Sequence, residues 1–328
     1  MERPCLSVII PIFNEEQVLE ALYQRLTGIA AELDVTYEFV FVNDGSRDRS
    51  LGLLKSLASR DPHVRILDFS RNFGHQVAIT AGMDYAQGEA VVVIDADLQD
   101  PPELIARMLE KWREGFDVVY AVREKREGDT LFKRATAALF YRLLKRITNV
   151  DIPLDTGDFR LMSRRAIEAM KLFRERNRFV RGLVSWIGFR QTGVHFVRAE
   201  RYAGETKYPL KKMLRFAVDG IVSFSFIPLQ LATIFGFIAS AMSFAGILWV
   251  IYLRLFTEAT ITGWASLMVI MLFLGGVQLL TLGIVGEYIG RIYDEVKRRP
   301  LYLVQEALGF GQREQREAHP EPSGHSPY

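Results

Sequence analysis

Three carboxylates and an amide stand within six residues of this chain, Asp95-Ala96-Asp97-Leu98-Gln99-Asp100, directly after the apolar run Val91-Val92-Val93-Ile94. Hard oxygen donors of this kind suit Mg²⁺ or Mn²⁺, an ion that keeps some of its waters and bridges substrate phosphates. The β-branched run predicts a strand buried on both faces. Charges crowded at the end of such a strand are costly unless a cation or a ligand compensates them. The plainer alternative for the same residues is a solvated strand-to-helix turn in which Asp100 caps the helix.

The neighbouring elements repeat the pattern. Leu6 to Ile12 is an apolar strand running into Phe13-Asn14-Glu15-Glu16, where Asn14 is expected to cap the next helix and the two glutamates suit its positive end. Phe39-Val40-Phe41-Val42 closes in Asn43-Asp44-Gly45-Ser46, and further strands are predicted at Val64 to Phe69 and Asp117 to Val122. Amphipathic helical patterns, such as Ser50 to Ala58 and Glu103 to Trp112, separate them. Alternating strand and helix predicts an open, mostly parallel sheet with helices on both faces. Ligands of such sheets bind outside the carboxyl ends of the strands, which is where Asn14, Glu15, Asp44, Asp95 and Asp97 fall. His75 is expected in a loop or at a helix start. No GxGxxG follows the first strand and no GxxxxGK[ST] occurs, so dinucleotide and P-loop readings are poorly supported.

Composition sets the outer bounds. The chain has 328 residues, room for one large domain and a smaller module, and a formal net charge of +2, which points to no nucleic-acid partner. Its single cysteine, Cys5, excludes an internal disulfide framework and any CxxC metal site. No cleavable signal peptide is expected from Met1-Glu2-Arg3-Pro4. Pro228 to Leu253 and Trp264 to Gly286 contain no charged residue, and each exceeds the roughly 20 residues that span a bilayer. Lys207, Lys211, Lys212 and Arg215 precede the first run, and Arg291, Lys297, Arg298 and Arg299 follow the second. The intervening loop offers only Arg254 against Glu258, so both termini are expected on the cytoplasmic side. From Leu131 to Ile147 basic residues interleave with aromatic and aliphatic ones, the pattern either of a helix lying in the membrane interface or of one packed on the domain. Asp155 to Leu161 and Arg201 to Tyr208 are expected to be charged, turn-rich stretches holding a second substrate, and the tail from Gln312 is expected to be disordered.

Pro11-Ile12-Phe13-Asn14-Glu15, Val42-Asn43-Asp44-Gly45-Ser46, Asp95 to Glu103 and Gly157-Asp158-Phe159-Arg160-Leu161 together resemble the motifs of inverting family-two glycosyltransferases with the A-type fold. Within that family the chain is similar to the polyisoprenyl-phosphate glycosyltransferases: bactoprenol glucosyltransferases, the undecaprenyl-phosphate aminoarabinose transferase and dolichol-phosphate mannose synthase. The resemblance runs from about residue 5 to about residue 300. It implies a metal-dependent enzyme that moves a sugar from a nucleotide-sugar, expected to be a UDP-sugar, onto a polyisoprenyl phosphate such as undecaprenyl phosphate. Pro11, Asn14, Glu15 and Asp44 would hold the nucleotide's base and ribose. Asp95, Asp97 and Gln99 would bind Mg²⁺ or Mn²⁺ on the diphosphate, and Arg123, Arg134, Arg201 and Lys207 the lipid phosphate. Asp158, with Asp155 as a nearby substitute, occupies the position of the catalytic base.

The expected layout is a cytoplasmic transferase domain over residues 1–208, a juxtamembrane amphipathic segment over 209–227, a transmembrane hairpin over 228–290 and a cytoplasmic C-terminal segment over 291–328. The expected site is the cytoplasmic face of the inner membrane, with the lipid bilayer as partner and self-association into a homo-oligomer. Two other functions compete. A processive polysaccharide synthase shares the nucleotide site, but its QxxRW motif is missing where this chain reads Arg181-Gly182-Leu183-Val184-Ser185-Trp186. A non-catalytic, membrane-anchored nucleotide-sugar-binding protein would have no need of every acidic position.

Overall fold

The computed structural model describes residues 4–123, 156–176, 178–196, 227–256 and 263–311. They fall into two compact units, the first holding the described residues up to 196 and from 299 onward, the second those from 227 to 298.

The first unit is built on one eight-stranded sheet. Its strands are β1 (Leu6–Ile12), β2 (Tyr37–Asn43), β3 (Val64–Phe69), β4 (Ala90–Val93), β5 (Val118–Arg123), β6 (Thr156–Ser163), β7 (Gln191–Phe196) and β8 (Val304–Leu308), in the spatial order β7-β5-β6-β4-β1-β2-β3-β8. Strands β4, β1, β2 and β3 run parallel, with Ile9 opposite Val93 and Ile12 opposite Asn43. That register brings their carboxyl ends to one rim. β6 is antiparallel to both β4 and β5, so its first residues, from Thr156, begin at the same rim.

All seven residues of β1 and all four of β4 are buried, as the continuous apolar runs require of a sheet covered on both faces. The helices that connect the strands are α1 (Leu19–Leu33), α2 (Ser50–Arg60), α3 (His75–Tyr85) and α4 (Leu104–Arg113), followed by α5 (Arg164–Leu172) and α6 (Val180–Trp186). The mostly parallel sheet is the one the sequence predicts, and the observed α2 and α4 coincide closely with the two amphipathic patterns.

Two expectations fail. Thr156 to Leu161 is not turn-rich: it opens strand β6, buried through to Ser163 after its first residue. Asn14 caps no helix, because α1 starts five residues later with no side-chain cap. Asn14 instead takes a left-handed backbone, φ 56°, and its Oδ1 accepts the Arg47 N–H at 2.8 Å.

The second unit consists of α7 (Ile227–Phe256) and α8 (Trp264–Val296). Leu229–Leu253 and Val269–Val296 have mean hydropathies of 2.1 and 2.2, and their apolar windows are not buried inside the protein. Both are long and apolar enough to cross a membrane. Leu131 to Ile147, the juxtamembrane segment and the tail from Gln312 lie outside the described residues.

Candidate active site

The rim gathers the acidic strand ends. After β4 the chain turns through Leu98, a bulky residue at φ 57°. Left-handed backbone at such a side chain is strained, and strain of this kind concentrates at functional sites. Within the turn the Gln99 N–H donates to Asp97 Oδ1 at 3.1 Å, while Gln99 itself is buried. Asp95 Oδ1 is buried and accepts no hydrogen bond, and His75 Nε2 lies 3.4 Å from it. Protein packed around the Asp95 carboxyl is the largest influence on it and pushes its pKa up to about 6; Asp158, Asp100 and Asp97 add to the rise and His75 opposes it.

This arrangement fits a hard divalent cation. It offers an orphaned buried carboxylate oxygen, with a second carboxylate two residues on and raised electrostatic stress that positive charge would relieve. Among the described residues no three His, Cys, Asp or Glu side chains converge as a metal site. The protein would therefore supply Asp95, Asp97 and Gln99, and substrate oxygens and water the remainder.

Asp158 stands on β6 with its side chain 6% exposed, and four groups converge on it. Arg181 Nε donates to Oδ1 at 2.9 Å and its Nη2 to Oδ2 at 3.3 Å. Gln76 Nε2 donates to Oδ2 at 3.2 Å, and His75 Nε2 lies 3.3 Å from the same oxygen. Arg160 Nη2 stands 3.7 Å from Oδ1 and donates to the Gly157 carbonyl at 2.8 Å. Burial alone would push the Asp158 carboxyl up, but the His75 hydrogen bond and the Arg181 and Arg160 guanidiniums outweigh it and hold the group well below the ordinary carboxylate range. His75 moves the opposite way. Its burial favours the neutral ring, yet the Asp158 hydrogen bond and the Asp95 and Asp158 charges raise its pKa overall.

Asp44 positions this cluster from the other side. Its Oδ1 accepts the Phe73 N–H at 2.6 Å and its Oδ2 the Gly74 N–H at 3.0 Å. Gly74 is the residue before α3, so the Asp44 carboxylate fixes the start of the helix that presents His75 and Gln76. The turn beside it needs glycine, because Gly45 has φ +66° and a Cβ there would meet the Arg71 backbone at 2.6 Å. Glu15 joins the same rim, its N–H donating to Ser50 Oγ at 3.0 Å. Pro11 is buried in β1 opposite Val42.

Arg123, at the end of β5, reaches back to the acidic turn, with Nη2 3.5 Å from the buried Asp100. It packs so closely over Gly157 that a Cβ there would meet Nη2 at 2.7 Å. Asp100 therefore faces a guanidinium, and α4 begins without a side-chain cap. Arg134, Arg201, Lys207 and Asp155 lie outside the described residues.

The sequence did not single out Arg181 as a site residue, and it placed His75 in a loop or at a helix start. Arg181 opens a short helix 23 positions after the carboxylate it pairs with. Its one signal was that a buried strand with an acid must find a cation somewhere.

Residues 7–170 match the model of glycosyl transferase family 2, and residues 228–292 match that of the GtrB C-terminal hairpin. An uncharacterized glycosyltransferase of Bacillus subtilis (strain 168), YkcC, is 60% identical over 93% of this chain and 94% of its own length. The bactoprenol glucosyl transferase of Shigella phage SfII is 44% identical over 92% of this chain and 98% of its own. The prophage bactoprenol glucosyl transferase homolog of Escherichia coli (strain K12) is 43% identical with the same coverage.

Proposed function

The chain belongs to glycosyl transferase family 2, and from that premise we propose that it moves a sugar from a nucleotide-sugar, a UDP-sugar by preference, onto the phosphate of a polyisoprenyl phosphate such as undecaprenyl phosphate. The observation that carries this is the pairing of Asp95 and Asp97 in a strained turn with the Asp158 cluster on one rim, in a chain that continues into two apolar helices. The relatives named bactoprenol glucosyl transferase support the acceptor class. We place the reaction at the cytoplasmic face of the inner membrane, and divide the chain into a transferase domain (1–208), a juxtamembrane segment (209–227), a hairpin (228–290) and a C-terminal segment (291–328). The active form is a homo-oligomer.

In this mechanism Pro11, Asn14, Glu15 and Asp44 form the nucleotide's side of the rim. Mg²⁺ or Mn²⁺, held by Asp95, Asp97 and Gln99, would supply positive charge against the diphosphate leaving group. An oxygen of the lipid phosphate attacks the anomeric carbon from the opposite face, which inverts its configuration. Arg123, Arg134, Arg201 and Lys207 hold that phosphate, since an anionic acceptor needs charge-assisted donors. A phosphate monoester has a second pKa of about 6, so near neutrality there is little proton for a base to remove. Asp158 therefore serves as an orienting group: with Arg181 and His75 it fixes the donor-sugar side of the site.

The test is transfer of label from a panel of nucleotide-sugars to undecaprenyl phosphate by the full chain in membranes with Mg²⁺ or Mn²⁺. One sugar per lipid, in a product with inverted configuration, is expected. Nucleotide-sugar binding without transfer, or growth of a polymer, would overturn the proposal.

A further inference from the structure

Two large apolar side chains of the first unit stand open to solvent at the ends of α5 and α6. Leu172 is 82% exposed and Trp186 is 62% exposed. The rings of Phe173 and Trp186 meet edge to face with centroids 5.3 Å apart, and Leu172 precedes Phe173 in the chain. The loop beneath them is firmly built. Buried Arg178 donates to the Phe173 carbonyl, the Val180 N–H donates to Gln76 Oε1 at 3.1 Å, and Arg174 binds both oxygens of Asp84 at 2.7 and 3.0 Å. Large apolar side chains held outward on a fixed support, with polar neighbours around them, mark contact surfaces.

The path of the chain says what covers this one. Tyr302 donates to the same Asp84 carboxylate at 2.7 Å, and Arg176 donates to the Arg299 carbonyl at 2.5 Å. Arg299 is the third residue after Val296, where the second apolar helix ends. β8 is antiparallel to β3 with Val304 opposite Phe69, so this returning segment reaches the sheet at the carboxyl rim, the edge that carries the acidic site. The loop and the returning residues from Arg299 onward are thus hydrogen-bonded to one another within the first unit. Charge agrees: Lys171-Leu172-Phe173-Arg174-Glu175-Arg176 carries three cations against one acid. Trp and Leu among Lys and Arg are what the headgroup layer of an anionic bilayer favours.

We propose that Leu172 and Trp186, flanked by Lys171, Arg174 and Arg176, are a membrane contact through which the transferase domain rests on the anionic headgroup layer of the bilayer that α7 and α8 enter. This rests on the membrane reading above and adds to it a second point of attachment.

The experiment uses the full chain in vesicles of phosphatidylcholine and phosphatidylglycerol. An environment-sensitive fluorophore is attached to cysteine in Leu172→Cys, in a Cys5→Ser background, with Ser59→Cys on α2 as the comparison. The probe at 172 should shift to the blue, be quenched by headgroup-level spin-labelled lipid and resist aqueous iodide, whereas the probe at 59 should do the opposite. Equal iodide access at both positions overturns the proposal. Shielding from iodide without quenching by labelled lipid also overturns it, and assigns the patch to a second copy of the chain. Trp249 and Trp264 in the apolar helices, read in the same vesicles, separate the two failures: if lipid label does not quench them, the membrane reading itself falls. As a second measurement, Leu172→Asp should raise the apparent KM for long-chain acceptor in vesicles by roughly tenfold, about 1.4 kcal/mol, and leave the nucleotide-sugar KM unchanged. No change in the acceptor KM counts against the contact.

Discussion

Asp158 faces two guanidiniums, an imidazole and an amide, and so retains little basicity. If it orients rather than deprotonates, Asp158→Asn loses turnover by a similar factor from about pH 6 to pH 8.5, because the acceptor's own second pKa of about 6 supplies the dianion. Recovery toward wild-type rate at high pH would make it a base. The substitution also strands buried Arg160, so it should cost about 3–5 kcal/mol of stability, which thermal unfolding will report and which must be known before rates are compared. Arg181→Gln acts through the same pair. In a double-mutant cycle its kinetic loss and that of Asp158→Asn should be strongly non-additive, the double variant being little worse than the poorer single one; additive losses would give Arg181 a separate task. Asp97→Asn is a different kind of change. It removes a charge from a crowded acidic turn, so the fold should persist or gain slightly while turnover falls sharply and fails to recover in saturating Mg²⁺ or Mn²⁺. At this scale the sequence revealed the acids, whose spacing is local. It concealed Arg181, whose partner is brought to it only by the fold.

At the scale of elements, the parallel strands were legible because their burial on both faces writes a continuous apolar run, as in Val91-Val92-Val93-Ile94. β6 was not, since Asp158 and Arg160 are charged residues inside a buried strand, made tolerable by partners that only the fold brings: Arg181, His75 and Gln76 on Asp158, and the Gly157 carbonyl on Arg160. β8 was hidden for another reason: Val304-Gln305-Glu306-Ala307-Leu308 is a short edge strand whose one fully buried residue is Val304. It is held as much by side chains as by the ladder. Tyr302 stacks on Phe69 with centroids 5.3 Å apart, Lys55 pairs with Glu306 at 2.5 Å, and Phe310 meets Tyr85 and Arg65. Tyr302→Phe keeps the stack and loses only the bond to Asp84, so it should cost about 0.5–1.5 kcal/mol. Tyr302→Ala removes the ring as well and should cost about 3–5 kcal/mol, with protease cleavage appearing between Arg299 and Leu308 before the domain as a whole unfolds. If the two variants unfold alike, the stacked ring is not what secures the strand.

For the whole molecule the decisive question is which side of the bilayer each segment occupies. The two apolar helices were legible at once, because more than about 20 consecutive uncharged, apolar residues match the thickness of a bilayer and exceed what a soluble core helix buries. Their apolar windows are indeed unburied by protein. The proposed orientation rests on charge rather than on folding. Lys207, Lys211, Lys212 and Arg215 stand before the first helix, and Lys297, Arg298 and Arg299 after the second. Between the helices Arg254 is offset by Glu258. Basic residues near span ends are retained on the cytoplasmic side, and a hairpin with both ends retained puts its loop outside. A cysteine at Thr260, in a Cys5→Ser background, should therefore react with an impermeant thiol reagent in intact cells, whereas Ser59→Cys on the transferase domain should react only once the cells are opened. The opposite pattern would place the catalytic rim outside. There it would have no supply of nucleotide-sugar, and the proposed transfer could not take place.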